Sequence, residues 1–146
     1  MASFLPAKLT DAETLADIRT EAMQPSLEAI GRFHPVRVRE RFLSTFIPED
    51  THLILRGSDL VGFFVIRIRQ DHLGLDHLYL KAEAQRLGLG RRVVRHVQCI
   101  AEKAEKPIKL MALRHSAANE FYRSLGFALV AEEAFDNHYE WHPSEI

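Results

Sequence analysis

The feature that most restricts the fold is a long helical crossover between two strand-like segments. The run LDHLYLK leads into the stretch AQRLGLGRR, after which apolar residues recur at helical spacing as far as Pro107. The short apolar run IKLMAL follows directly. Because a helical crossover allows two strands to run in the same direction, these segments predict a parallel pair inside a mixed α/β sheet.

Two helices are predicted ahead of this crossover. Capping-box spacing between Thr10 and Glu13 predicts a helix from about Asp11 to Met23, and Pro25 is expected to end it. The segment PVRVRERFLSTF predicts a second helix, closed by Pro48. The residues expected to bury its apolar side are Val36, Phe42, Leu43 and Phe46.

Period-two patterns predict the remaining strands. HLILR, LVGFFVIRIR and LDHLYLK are separated by turn signals and predict an antiparallel meander. After IKLMAL, the segment SAANEFYRSL predicts a helix stopped by Gly126, and FALVAEE and FDNHYEWH predict two closing strands. At 146 residues the chain is expected to form a single domain, 1–146.

Composition excludes several classes of function. A formal net charge of -1 gives no bulk attraction to nucleic acid, and no apolar run is long enough to predict a signal peptide or a membrane span. Cys99 is the only cysteine, which excludes an intrachain disulfide and fits a reducing compartment. We therefore expect a cytoplasmic protein, with Cys99 as a buried structural thiol in its helix.

The eight histidines raise the question of a metal site, which their spacing does not support. His138 and His142 are four residues apart, but they lie in a strand-like segment that ends at a proline, where this spacing does not bring two side chains together. The other histidines are scattered along the chain. No metal is expected.

The glycines of AQRLGLGRR lie where a strand is followed by a helix, and this is a place where unpaired backbone N–H groups can bind an anion. A P-loop would need Lys and Ser or Thr after the second glycine, but Arg91 and Arg92 stand there. A dinucleotide fingerprint would need a third small residue at Val93 and an acidic residue near Lys109. Neither pattern is met.

A third pattern, Gln-x-x-Gly-x-Gly, is met by Gln85 to Gly90. With it the chain resembles the GNAT superfamily of acetyl-coenzyme A dependent N-acetyltransferases. The resemblance covers nearly the whole chain, since LDHLYLKAEA is similar to the central strand of that family, IKLMAL to the strand that splays from it, and NEFYRSLGF to its second hallmark. It implies a mixed sheet in the order β-α-α-β-β-β-α-β-α-β-β, with parallel central strands that splay.

The resemblance also implies where acetyl-coenzyme A binds. Backbone N–H groups of the glycine turn would surround the pyrophosphate, the end of the preceding strand would pair its main chain with the pantetheine arm, and Asn119 would contact the same arm. The implied coenzyme-binding residues are Leu78, Tyr79, Leu80, Gln85, Arg86, Leu87, Gly88, Leu89, Gly90, Arg91 and Asn119.

The catalytic candidates supply a proton and remove one. Tyr122 is the candidate acid for the leaving thiolate, because a phenol and a thiol have similar pKa values and Tyr122 lies in the FYRSLGF match. Asp76 leads as the base for the amine, His77 follows, and a water chain is the third alternative. Only one of these two neighbours can face the cleft, because side chains alternate along a strand.

The acceptor is expected between the N-terminal helices and the terminal hairpin. Arg32, His34 and Tyr139 are the candidate substrate residues, and Arg37 and Arg39 add positive charge that could receive an acidic group. The sequence leaves the acceptor open among a polyamine, an amino acid derivative, an aminoglycoside and a peptide N-terminus. It predicts direct attack by a primary amine in a ternary complex; a non-catalytic acyl-coenzyme A binding module is the alternative, and edge strands could pair in a homodimer.

Overall fold

A computed structural model of the chain describes residues 2–144. It divides into two compact units. Unit 1 consists of the residues up to Val65 together with His77–Gly90, and unit 2 of Ile66–Asp76 together with the residues from Arg91 onward.

The strands form a seven-stranded mixed sheet in the order β1-β2-β3-β4-β5-β7-β6. Parallel pairing joins the first two residues of β4 to the first two of β5, while β1/β2, β2/β3, β5/β7 and β6/β7 are antiparallel. This confirms the predicted mixed α/β class and the parallel pair. The strands are β1 (Ala2–Pro6), β2 (Thr51–Arg56), β3 (Asp59–Ile68), β4 (Leu73–Leu80), β5 (Ile108–Leu113), β6 (Ala128–Glu132) and β7 (Asp136–Trp141).

Within residues 2–144, four α-helices connect these strands, together with short 3₁₀ helices. The α-helices are α1 (Ala12–Ala29), α2 (Pro35–Thr45), α3 (Leu89–Ala104) and α4 (Ala117–Ser124), and the 3₁₀ helices are Leu9–Asp11, Pro48–Asp50 and Ala82–Ala84. None of the helices within residues 2–144 is long and apolar enough to cross a membrane.

The core of unit 1 combines aliphatic side chains of α1 with aromatic rings of α2 and β3. Leu15 and Ile18 of α1 are buried in one cluster with Phe42 of α2 and with Phe63 and Val65 of β3. The rings of Phe42 and Phe63 meet edge to face with centroids 5.2 Å apart, an arrangement that aromatic pairs favour. This packing fixes α1 and α2 relative to β3 within unit 1.

In unit 2, alternation decides which side chains of β5 are buried. Ile108, Leu110 and Ala112 are buried, whereas Lys109 and Met111 between them are exposed. A nearly continuous apolar run such as IKLMAL is typical of a strand buried on both faces, but the side that carries Met111, which is 58% exposed, is not buried. Because methionine is apolar even where it is exposed, the sequence does not show that this strand is buried on one face only.

Helix α1 is longer than expected. Pro25 lies inside it, although a proline lacks the N–H that the helix would use, and the helix continues to Ala29. Leu27, beyond the proline, is buried in the core, and this burial favours a further turn of helix. The expected capping box is also displaced, since the Asp11 carboxylate accepts from the Lys8 N–H at 2.8 Å, two residues earlier than Thr10 and Glu13 predicted.

Two residues that were expected to be buried, Val36 and Cys99, lie on the exposed faces of their helices. In α2, Val36 is 68% exposed and Val38, one turn before the buried Phe42, is buried instead. In α3, Cys99 is exposed, because it lies two residues from both Val97 and Ala101, which are buried on the opposite side. A position two residues from the apolar stripe of a helix faces away from it.

Candidate active site

The glycine turn begins where β4 ends. After Leu80 the chain makes the 3₁₀ turn Ala82–Ala84, and the Gln85 side chain then donates from Nε2 back to the Leu80 carbonyl at 3.1 Å. This bond gives the glutamine of the Gln-x-x-Gly-x-Gly pattern a local role. It holds the start of the turn against the end of the strand.

Two residues of the turn adopt left-handed backbone conformations. Arg86 has φ 64° and Gly88 has φ 79°, and Leu89 then begins α3. Glycine adopts this conformation without steric cost, so Gly88 is the residue that redirects the chain. Gly90 does not share this role, because it lies inside the first turn of the helix.

The turn has the properties of an anion-binding site. The first N–H groups of α3 have no partner within the helix, and the helix dipole makes this end positive. A Cβ built on Gly88 would meet no atom within 4 Å, so the space beside the turn is open. Arg86 and Arg91 are exposed beside it, and Leu87 is 51% exposed. Backbone N–H groups arranged in this way at the start of a helix can bind an anion.

Strand β4 presents Asp76 and His77 in opposite environments. In unit 2, Asp76 forms an ion pair with Arg67, whose Nε lies 3.3 Å from Asp76 Oδ2. In unit 1, the ring of His77 contacts the Phe42 ring edge to face at 5.6 Å, and its Nδ1 lies 3.5 Å from the Tyr79 hydroxyl. Which of the two side chains faces a substrate stays a prediction.

The end of β4 lies very close to β3. A Cβ at Gly62 would come within 2.3 Å of the Tyr79 carbonyl oxygen, so this position of β3 requires glycine. The Tyr79 hydroxyl donates to the Met23 sulfur at 3.5 Å, which connects β4 to α1. The three residues implied for pantetheine pairing, Leu78, Tyr79 and Leu80, are all half-buried.

Asn119 at the start of α4 has a fully occupied side chain. Its Nδ2 donates to the Leu113 and Ser116 carbonyls at 2.8 and 2.9 Å, and its Oδ1 accepts from Asn137 Nδ2 at 2.9 Å and from the Tyr139 hydroxyl at 2.8 Å. A carboxamide has two donor hydrogens and an oxygen with two lone pairs, and all are used. This arrangement argues against the contact with pantetheine that the family resemblance implies.

Tyr139 belongs to the same network, because its hydroxyl donates to Asn119 Oδ1. Its side chain is 0% exposed, and the Arg123 guanidinium lies 5.9 Å from the centre of its ring. Complete burial argues against the expected substrate contact. Because Asn137 and Tyr139 are two residues apart on β7, strand alternation predicts that both side chains lie on one face of the sheet, and in the structure both donate to Asn119 Oδ1.

Tyr122 is buried one turn further along α4. It is 8% exposed, and its ring meets that of Phe127 edge to face at 5.6 Å. The Phe127 N–H donates to the Tyr122 carbonyl at 3.1 Å as the chain turns through Gly126, which has φ 92°. The Leu-Gly-Phe part of the FYRSLGF segment therefore fixes the position of the tyrosine within unit 2.

The positive residues of the N-terminal helices are separated by their contacts. Arg32 and His34 are exposed between α1 and α2, whereas Arg39 pairs with Glu13 and Asp17 of α1. Sequence reasoning missed Arg19, which is buried in α1. Its place within the apolar stripe of the helix, next to Ile18, was the available signal.

The histidines near the C-terminus bind carboxylates. His138 pairs with Glu133, and His142 Nε2 lies 3.1 Å from Glu140 Oε1. Within residues 2–144, no group of three or more His, Cys, Asp or Glu side chains is arranged to hold a metal ion.

Known proteins of the same fold include several acetyltransferases. PaiA N-acetyltransferase from Thermoplasma acidophilum, solved in complex with coenzyme A, is 19% identical, with TM-score 0.84 over 97% of this chain and 99% of that chain. An acetyltransferase from Thermus thermophilus is 16% identical, with TM-score 0.77 over 97% of each chain. The ribosomal-protein-S18-alanine N-acetyltransferase from Escherichia coli is 19% identical, with TM-score 0.75 over 100% of this chain and 96% of that chain.

At the level of sequence, no match was found among curated proteins. The family model described as an acetyltransferase (GNAT) domain matches residues 21–146, which is most of the chain. This range includes β4, the glycine turn and α4. The chain therefore belongs to the GNAT acetyltransferase family.

Proposed function

We propose that this protein is a cytoplasmic N-acetyltransferase that transfers the acetyl group of acetyl-coenzyme A to a primary amine by direct attack in a ternary complex. The observation that carries the proposal is the glycine turn, in which the left-handed Gly88 opens directly onto the first turn of α3. Membership of the acetyltransferase family and the coenzyme A complex of the PaiA enzyme support this choice of donor.

The protein binds the coenzyme mainly through backbone groups. The N–H groups of residues 87–91 hold the pyrophosphate, and the exposed Arg86 and Arg91 add positive charge. Residues Leu78–Leu80 pair with the pantetheine arm as an added strand. Asn119 acts indirectly, by holding the start of α4 to the end of β5 through the Leu113 carbonyl.

In the reaction, acetyl-coenzyme A supplies a thioester whose acetyl carbon forms a bond to the amine nitrogen as its bond to sulfur breaks. Tyr122 donates its phenolic proton to the departing sulfur. His77 takes the proton that the amine loses, because imidazole changes charge near neutral pH. Asp76 is the second candidate because it is already paired with Arg67, and water is the third.

The coenzyme site is tested by Gly88→Glu. A carboxylate placed in the anion site should weaken coenzyme A binding about 100-fold, since like charges brought together cost several kcal/mol. Gly57→Glu is the matched control, because Gly57 has φ 64° and a Cβ added there would also meet no atom within 4 Å. Titration calorimetry measures both variants, and unchanged affinity in Gly88→Glu would exclude the turn as the coenzyme site.

The acid is tested by Tyr122→Phe. Removing the proton donor should lower kcat about 100-fold and leave the dissociation constant of coenzyme A within about twofold. Tyr139→Phe is the matched control, since Tyr139 is a buried tyrosine of unit 2 whose hydroxyl bonds only within the fold described above. Equal values of kcat in Tyr122→Phe and wild type would remove Tyr122 from this role.

A panel of primary amines with acetyl-coenzyme A, followed by mass spectrometry of the products, tests the activity itself. N-acetylated product is the expected result. Tight coenzyme binding without any acetylated product would instead favour a non-catalytic acyl-coenzyme A binding module.

A further inference from the structure

Arg19 is a buried cation that the protein leaves without a counter-charge. It lies on α1 and is 9% exposed. Its Nη1 donates to the Val38 carbonyl of α2, while its Nε is buried and has no hydrogen-bond partner in the described part of the chain. No carboxylate within residues 2–144 forms an ion pair with it. A charge removed from water without a partner is costly, so a partner from outside the chain is expected.

The donors that remain define the shape of that partner. A guanidinium is planar, and its Nε–H and one Nη–H point the same way as a fork. Because Nη1 is used by Val38, the unused pair on Arg19 is Nε and Nη2. This edge matches the two oxygens of a carboxylate, which accepts two parallel hydrogen bonds from it.

Two sets of contacts place Arg19 on the same side of unit 1 as His77. Along α1, Met23 is one turn from Arg19, and its sulfur accepts from Tyr79, whose hydroxyl lies 3.5 Å from His77 Nδ1. Along α2, the residue one turn beyond Val38 is Phe42, whose ring contacts that of His77 at 5.6 Å. Both sets of contacts connect Arg19 to His77, the candidate base.

A purely structural role explains Arg19 less well. Its single bond to Val38 ties α1 to α2, but Arg39 already makes that connection with two carboxylates of α1. One carbonyl contact does not neutralise a buried charge.

We infer that Arg19 binds a carboxylate of the acceptor, so that the acceptor is an amine that also carries a carboxylate. This inference rests on the proposed function. The carboxylate is held by the Nε and Nη2 edge of Arg19, and the amine end lies toward His77.

Paired acceptors test the inference. Glycine, β-alanine and γ-aminobutyrate are compared with methylamine, ethylamine and propylamine, which are the same amines without the carboxylate. For at least one chain length, wild-type kcat/KM should be at least about tenfold higher for the amino acid, since hydrogen bonds to a charged group contribute that much or more. Arg19→Met should remove this preference while turnover of the alkylamines stays within about twofold.

Arg19→Lys separates the fork from the charge, and it should keep only part of the preference because an ammonium has no planar edge. Three results would overturn the inference: no preference in wild type, a preference that survives in Arg19→Met, or an equal loss for both acceptor classes in Arg19→Met. Aminomethylphosphonate is included as well, and a faster reaction with it than with glycine would replace the carboxylate by a phosphate-like group and refute the inference as stated.

A binding measurement separates this inference from the proposed function. If no amine is acetylated, the proposed function fails. The melting temperature of wild type should still rise with the amino acids and not with the alkylamines, and this rise should be absent in Arg19→Met. Without that difference in melting temperature, Arg19 is not a carboxylate site.

Discussion

Arg19 in unit 1 and Arg67 in unit 2 are buried to nearly the same extent, 9% and 7% exposed, but only one of them has a counter-charge. Arg67 pairs with Asp76 at 3.3 Å, whereas Arg19 has one backbone carbonyl and an unpaired Nε. Because an unpaired buried charge destabilises a fold, the difference indicates which arginine serves the fold and which is available to a ligand.

The buried amide in unit 2 extends the same contrast. Asn119 uses every donor and acceptor of its side chain within the protein. Asn119 and Arg67 thus have polar or charged partners within unit 2, while the Nε of Arg19 in unit 1 has none among residues 2–144. Variants of each residue should therefore differ in their effect on folding and on binding.

The largest effect on stability is expected from Asn119→Leu. This change leaves the Tyr139 hydroxyl and Asn137 Nδ2 without their partner, while the Leu113 carbonyl still accepts from the Ser116 hydroxyl, and each unsatisfied buried group costs roughly 1 to 3 kcal/mol. We expect the free energy of unfolding to fall by about 3 kcal/mol and the melting temperature by about 10 °C. Urea denaturation measures the change, with the exposed neighbour Glu120→Gln as control; a loss below about 1 kcal/mol would show that the network is not cooperative.

A smaller loss is expected from Arg67→Met. The ion pair with Asp76 disappears, but the Asp76 side chain is 45% exposed and can be hydrated in its place. The free energy of unfolding should fall by about 2 kcal/mol, which includes lost packing of the arginine stem. Arg69→Met, at an exposed position two residues away, should leave the unfolding midpoint unchanged.

The smallest effect is expected from Arg19→Met. Replacing an unpaired buried cation by an apolar side chain of similar length should change the free energy of unfolding by less than about 1 kcal/mol, in the direction of greater stability. Urea denaturation of this variant beside Arg67→Met compares the two arginines directly. If both variants lose the same stability, the contrast between the arginines is wrong.

The sequence predicted the elements whose side-chain period was long and regular. β3 and α3 were found because the long apolar run in LVGFFVIRIR, bounded by turn signals, and the helical spacing after Gly88 leave little ambiguity. The prediction ended helix α1 before Pro25, because the sequence pattern does not show that Leu27 lies in the core. The burial of Leu27 outweighs the tendency of proline to end a helix.

The candidate site was predictable where it depends on backbone and less so where it depends on contacts. The glycine turn is a local feature, and its position between β4 and α3 agrees with the sequence pattern. Asn119 and Tyr139 bond to each other across a distance of twenty residues in sequence, and Asn119 also bonds to Asn137. The FYRSLGF segment alone therefore could not show that the hydrogen-bonding groups of Asn119 are all used. The place of Arg19 in the apolar stripe of α1 was a sequence signal, but its missing counter-charge is visible only in three dimensions.

The exposure of Cys99 on α3 affects how this enzyme is assayed. As the only cysteine in the chain, it is a unique point for attaching a fluorophore on the outer side of that helix. It also reacts with the reagents that detect liberated coenzyme A, because these reagents detect any accessible thiol. A colorimetric assay at high enzyme concentration would therefore record one equivalent of thiol per chain before the first turnover, and Cys99→Ser removes this background.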